Sequence, residues 1–205
     1  MIDLYTWDTP NGDKARIMLE ECGIDYTVHP VNLSEGEQHE PDYLTINPNG
    51  KIPAIVDPDG PGGGPLALFE SGAILLYLAE KTGRLLPSDP RRRWAAVQWL
   101  MFQMGGIGPT LGQLGHFLYF APEPVPAAVE RFSGEAQRLA EVADGRLRGR
   151  EYLADEYSVA DIACYPWLAR HERLGIDLDE LPDLRRWLDT VGSRPAVRRA
   201  MAPSR

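Results

Sequence analysis

A proline at the mouth of a short apolar run constrains this chain more than any other feature. The stretch Asn47-Pro48-Asn49-Gly50-Lys51-Ile52-Pro53-Ala54-Ile55-Val56 is followed, past a Gly/Pro turn, by Leu68-Phe69-Glu70-Ser71-Gly72-Ala73-Ile74. Pro53 has no N–H to give to a ladder, and an X-Pro bond opening a strand is a candidate cis bond. Ile52-Pro53 therefore reads as a turn that leaves backbone groups of Ile52 for something peptide-like. Residues 66–69 read as a second strand running straight into a helix that begins at Glu70-Ser71. A hydroxyl, backbone amides and the positive end of a helix dipole then meet at one spot, which suits a carboxylate.

The surrounding pattern is α/β. Residues 1–7 alternate as a strand, and residues 11–22 carry Ala15, Met18, Leu19 and Cys22 at helical spacing before Gly23, a natural stop. A second strand over 26–33 completes a βαβ unit. A polar loop follows, then a strand at 52–56, a turn at 57–65, a strand at 66–69 and a helix at 71–81. The order β-α-β, β-β-α predicts one small α/β domain.

A chain of 205 residues leaves room for a second domain. The Pro-marked segment Leu85-Leu86-Pro87-Ser88-Asp89-Pro90 reads as a linker, giving domains 1–84 and 91–205. The second half has no strand alternation. Its expected helices are 91–104, 125–148, 159–174 and 181–193, with a short one from Ala196. Gly105-Gly106-Ile107-Gly108-Pro109 predicts a kink or break. It lacks the strand-to-helix context of a phosphate loop. Ser158-Val159-Ala160-Asp161 has capping-box spacing, with Tyr157 and Ile162 placed as a staple, so Asp161 reads as a structural cap rather than an acid catalyst.

Charge and cysteine usage remove several function classes. With 21 Lys+Arg against 30 Asp+Glu the formal net charge is −9, which argues against nucleic acid or an anionic membrane surface as partner. The start of the chain has no charged segment leading into an apolar one, and no run approaches the roughly 18 apolar residues of a membrane span, so a cytoplasmic location is expected. Cys22 and Cys164 form neither a redox pair nor a zinc spacing and read as buried thiols; no metal is expected. Most of the aromatics Trp94, Trp99, Phe102, Phe117, Tyr119 and Phe120 read as packing, with a minority left to wall an acceptor pocket. His116 reads as a packed or surface residue, and Arg91-Arg92-Arg93 as a solvated or dimer-contact patch.

An α/β half with Lys51-Ile52-Pro53 and Glu70-Ser71-Gly72, a Pro-marked linker, and a helical half with the Ser158-to-Asp161 cap together resemble the cytosolic glutathione transferases over the whole chain. Thr9-Pro10-Asn11-Gly12 after the first strand, with the run from Phe69 to Ala79, is similar to the Nu class and its nitrogen-regulator-like relatives. The resemblance implies an α/β thioredoxin-like domain followed by an all-α domain, a homodimer, and glutathione-dependent reduction of disulfide bonds. Residue by residue it implies that Glu70 holds the γ-glutamyl amino group and Ser71 its carboxylate. Ile52, ahead of Pro53, pairs with the cysteinyl unit, while Lys51 and Gln38 meet the glycyl carboxylate. Arg131 contributes to the same cleft, and Thr9 and Asn11 lie nearest the sulfur.

One departure from the wider superfamily is expected: Tyr5 falls inside the first strand and Trp7-Asp8 occupies the loop, so a tyrosine hydroxyl mechanism is not expected. The reaction needs a thiolate, and a thiol of pKa near ~8.5 is mostly protonated at neutral pH. A hydroxyl at Thr9, an amide at Asn11 and the start of the first helix would lower that pKa without any protein cysteine. Thr9 and Asn11 are equally good helix-cap and turn residues, and Glu70-Ser71 alone would pass as an ordinary helix start. The expected partners are glutathione or glutathione disulfide and a small disulfide or electrophilic acceptor. Disulfide reduction stands ahead of conjugation, with peroxide reduction as a side activity. Isomerisation or dehalogenation of a small organic acid, or a non-catalytic regulatory protein on the same fold, are the alternatives.

Overall fold

The computed structural model describes residues 1–202. In the first compact unit a mixed sheet runs in the order β2-β1-β3-β4, with β1 at Ile2–Thr6, β2 at Tyr26–Pro30, β3 at Ala54–Gly60 and β4 at Gly64–Phe69. β1 and β2 are parallel, so a crossover must join them, and α1 (Pro10–Cys22) is that crossover. The β1–β3 and β3–β4 pairs are antiparallel. α2 (Pro41–Ile46) precedes β3, and α3 (Ser71–Thr82) follows β4 and packs on α1.

Alternation in β1 sends Ile2, Leu4 and Thr6 inward. They meet Ala15, Ile17, Met18 and Leu19 of α1 and Ile74, Leu75 and Leu78 of α3 in the apolar centre, all but Ile2 with no exposed surface. Truncating one of these large side chains to alanine costs about 2–5 kcal/mol. α1 is buried on nearly every side, which is why its polar residues Asp13, Lys14 and Arg16 are buried with it.

The second unit is helical: α4 (Pro90–Phe102), a π-helical turn (Gln103–Ile107), α5 (Gly108–Tyr119), α6 (Pro126–Leu147), α7 (Val159–Leu168), α8 (His171–Leu174) and α9 (Pro182–Gly192). The capping box forms at α7: Ser158 Oγ accepts from Ala160 N at 3.3 Å, and Asp161 Oδ2 accepts from Ser158 N at 3.0 Å. Asp161 Oδ1 also receives Leu153 N at 3.0 Å and Trp187 Nε1 at 2.9 Å, so one carboxylate ties together a loop, α7 and α9. Complete burial pushes its pKa up to about 6 against those donors. Its place is structural.

Several elements differ from the sequence expectation. β2 ends at Pro30, not at 33, and the polar loop after it contains a 3₁₀ turn (Glu37–His39) and α2, which is too short to show a period. β3 starts at Ala54 rather than Ile52 and continues to Gly60 through Pro58, because an irregularity between Asp57 and Gly60 accommodates a residue that cannot donate. The kink at 105–109 is a π turn leading into α5, a helix not expected from so glycine-rich a segment. Gly112 faces the Trp167 ring and Gly115 faces Leu174, while a Cβ on Gly108 would overlap the Gln103 side chain. The helix expected over 159–174 is divided into α7 and α8, with Pro166 inside α7.

A last helix, α10 (Pro195–Ala200), buries Ala196, Val197 and Ala200 and packs along α1, with Arg199 Nε 2.7 Å from Glu20 Oε2. The compact units are therefore Met1–Arg84 together with α10, and Leu85–Arg194, where the sequence division had placed all of 91–205 in one domain.

Candidate functional site

Register brings the motif residues of the first unit to one end of the sheet. Tyr5 pairs with Ala54, and Ala54 pairs with Phe69, so a single row crosses β1, β3 and β4. The chain leaves β1 toward Thr9 just beyond that row, enters β3 from Lys51-Ile52-Pro53 just before it, and leaves β4 into Glu70-Ser71. Neighbouring strands lie about 4.8 Å apart, so these three loops are within a tripeptide's reach of one another.

At the start of α1, Thr9 is the cap, with extended backbone (φ −140°, ψ 159°) and its Oγ1 accepting from Gly12 N at 3.2 Å. Pro10 occupies the first helical position, where its missing N–H costs nothing. A Cβ on Gly12 would overlap the Trp7 carbonyl oxygen and Thr6 Oγ1, so only glycine lets the helix begin this close to the strand end. The cap uses Thr9 Oγ1 as an acceptor. A hydroxyl is both donor and acceptor, so capping and donation to a ligand are compatible uses of one side chain. Asn11 sits half-buried in the first turn.

The turn before β3 is held from inside. Asn47 and Tyr43, both buried, each donate to the Lys51 carbonyl, Nδ2 and Oη both at 2.5 Å, and Asn47 Oδ1 accepts from Asn49 N at 2.9 Å. Ile52-Pro53 is cis, and among the described turn and loop hydrogen bonds none uses the Ile52 backbone. The Ile52 side chain packs on the cluster of Val31, Tyr43 and Ala54, while the Lys51 side chain is exposed. A Cβ on Gly50 would come within 3.3 Å of the Gln38 carbonyl, which puts Gln38 beside this turn; its Oε1 is buried with no hydrogen-bond partner among the described residues.

The start of α3 is different in kind. Glu70 has φ 69° and ψ 113°, a backbone conformation that costs a non-glycine residue about 1–3 kcal/mol, and its exposed side chain makes no capping bond. Ser71 is buried, and Lys14 Nζ lies 3.3 Å from its Oγ. The sequence reading missed Lys14. The available signal was its position three residues before Ile17 and four before Met18, on the apolar face of α1. The start of α3 thus brings together a strained acidic residue, a serine hydroxyl, a buried cation and a helix N-terminus, a set of groups with the chemistry to pair an ammonium and a carboxylate.

The remaining residues singled out by the sequence have the following settings. Cys22 is the last residue of α1, about 18 Å along the helix from its start. Burial raises its thiol pKa, and it neighbours Thr82 Oγ1 at 3.5 Å. Cys164 is buried in α7 of the second unit. Tyr5 stacks on His29 at 4.7 Å, and burial, then Asp3, hold its phenol above the ordinary value, so it is not activated. Arg131 is exposed on α6 of the second unit, beside a surface cavity of about 610 Å³ shared with Thr110, Phe132 and Glu135. Among the described residues no group of His, Cys, Asp and Glu could hold a metal ion, and no helix is long and apolar enough to cross a membrane.

The thioredoxin-like sheet brings the Glu70-Ser71 helix start, the Ile52-Pro53 turn and the Thr9-Asn11 helix start to one end of the first unit. The chain belongs to the glutathione S-transferase family: residues 9–81 match the glutathione S-transferase N-terminal domain and residues 107–195 the C-terminal domain. It is 51% identical over 203 residues to the disulfide-bond oxidoreductase YfcG of Escherichia coli, covering 98% of this chain and 94% of the relative. It is 39% identical to the disulfide-bond oxidoreductase YghU of the same organism, covering all of this chain and 75% of that one. A crystal structure of a Pseudomonas putida glutathione transferase, with one glutathione disulfide bound per subunit, superposes with a TM-score of 0.94 at 47% identity, covering 98% of this chain and 90% of that one.

Proposed function

We propose that this chain reduces disulfide bonds with glutathione as the thiol, in the manner of the Nu class. One observation supports the reading: the sheet-end row gathers the Glu70-Ser71 helix start, the Ile52 turn and the Thr9-Asn11 helix start, while Cys22 sits at the opposite end of α1. The nucleophile is then the ligand's sulfur. Relatives named as disulfide-bond oxidoreductases and a neighbour holding glutathione disulfide support it.

Glu70 takes the γ-glutamyl ammonium and Ser71 the carboxylate. The Ile52 backbone, set by Pro53, pairs with the cysteinyl unit, and Gln38 and Lys51 meet the glycyl end. Thr9 and Asn11 donate to sulfur as its proton leaves. The thiolate attacks one sulfur of the acceptor disulfide and expels the other as a thiolate, which takes up a proton. A second glutathione thiolate then attacks the glutathionyl sulfur of the mixed disulfide, releasing glutathione disulfide and the second acceptor thiol. Arg131 is assigned to the same ligand on the resemblance alone.

A homodimer is part of the proposal, supported by the exposed apolar side chains Trp94 and Met101 on α4. So is a cytoplasmic setting, where glutathione keeps thiols such as Cys22 and Cys164 reduced. Turnover of a small model disulfide with glutathione tests the activity. Binding of glutathione without turnover would remove catalysis and leave the regulatory alternative.

A further inference from the structure

Lys14 is among the largest side chains in the molecule with almost no exposed surface, at 1%, and its ammonium is directed at Ser71 on the neighbouring helix. Burying an ammonium is costly, so where its charge is placed matters. An ammonium has donors and no acceptor. The contact at 3.3 Å therefore has one sense, with Lys14 Nζ donating and Ser71 Oγ accepting. A serine hydroxyl that accepts from a cation is polarised as a donor toward an anion on its other side. Ser71 is also the first residue of α3, so the lysine charge and the positive helix end act on the same point.

We propose that Lys14 is a positioning residue of the Glu70-Ser71 site: it orients and polarises Ser71, places positive charge behind the ligand carboxylate, and so makes the site select ligands that carry an α-carboxylate at the γ-glutamyl end. This rests on the reading of Ser71 as the carboxylate's partner. The selectivity is electrostatic and needs no direct contact between Lys14 and ligand. Arg16, the other buried cation of α1, is paired with Asp8 at 3.1 Å.

The test crosses two ligands with three variants by direct or displacement calorimetry. The ligands are glutathione and the same tripeptide lacking the γ-glutamyl α-carboxylate, 4-aminobutanoyl-cysteinyl-glycine. Lys14→Met should weaken glutathione roughly tenfold, the scale of a charge-assisted hydrogen bond, and leave the analogue within about twofold. Lys14→Gln, which keeps a donor without the charge, should fall between wild type and Lys14→Met for glutathione, and it serves alone if Lys14→Met does not fold. Equal loss for both ligands, or no loss for either, overturns the inference, since a merely structural lysine cannot distinguish the two. Ser71→Ala separates the two levels: if it fails to discriminate between the ligands, the carboxylate reading of α3 falls. If it discriminates and the Lys14 variants do not, only the role of Lys14 falls.

Discussion

The two helix starts that meet at the end of the sheet solve the same problem in opposite ways. α1 satisfies itself: Thr9 is in relaxed extended backbone, its hydroxyl caps Gly12 N, and proline removes one donor that would need a partner. α3 does not. Its cap residue Glu70 is strained at φ 69° and its side chain caps nothing, while a buried lysine is brought up to Ser71 from another helix. A helix start backed by a buried ammonium favours an anion there, so the proposed function assigns ground-state affinity to α3. A capped end that carries a donor group has more to give to charge that grows on a reacting sulfur than to the ground state, so the proposed function assigns rate to α1.

The largest effect expected from this contrast is on binding. Ser71→Ala should weaken glutathione roughly ten- to hundredfold in calorimetric titration, because a charge-assisted donor to a carboxylate is lost. Unchanged affinity would erase the distinction between the two ends. Next comes Thr9, where two duties can be separated from none. Thr9→Ala should lose about 1 kcal/mol of stability with the cap and up to roughly tenfold in turnover, while Thr9→Ser keeps both. A Thr9→Ala variant that loses stability but no rate would reduce Thr9 to a cap. A smaller and opposite effect is expected at Glu70. Glu70→Gly relieves backbone strain and should raise the unfolding free energy by about 1 kcal/mol after glycine's own entropy cost, while glutathione affinity falls. Destabilisation in thermal melts would mean that α3 depends on the Glu70 side chain after all. The smallest effect belongs to the cysteines: Cys22→Ser with Cys164→Ser should leave turnover per folded molecule within about twofold, whatever stability is lost. Abolished turnover in a folded double variant would point to a protein thiol.

The contrast also marks how much could be read before the structure. Both helix starts were visible, because capping residues, proline at the first helical position and the strand-to-helix switch at Phe69-Glu70 are written in adjacent residues. So were the cis Ile52-Pro53 turn and the Ser158–Asp161 box. What escaped depends on contacts distant in sequence. α5 forms although its glycines argue against a helix by propensity alone, and its partners Trp167 and Leu174 lie about 55 or more residues further on. α10 carries no local sign that it docks on α1. β3 runs through Pro58 only because the irregular pairing there asks nothing of its nitrogen. Lys14 is the clearest case in the site. Its contact with Ser71 appears only when α3 is brought alongside, 57 residues further on. Gln38 came from family resemblance rather than from residue chemistry, and the 3₁₀ turn that carries it lies in a segment that read simply as polar loop.

The division of labour between the two helix starts is tested most directly by steady-state kinetics of disulfide reduction, varying glutathione, in Asn11→Ala beside Ser71→Ala. The expected result is a crossed pattern. Asn11→Ala should lower kcat about ten- to hundredfold with little change in KM for glutathione, and Ser71→Ala should raise KM with kcat largely kept at saturation. An Asn11→Ala variant with unchanged kcat and raised KM would contradict the account, because both helix starts would then only hold the tripeptide.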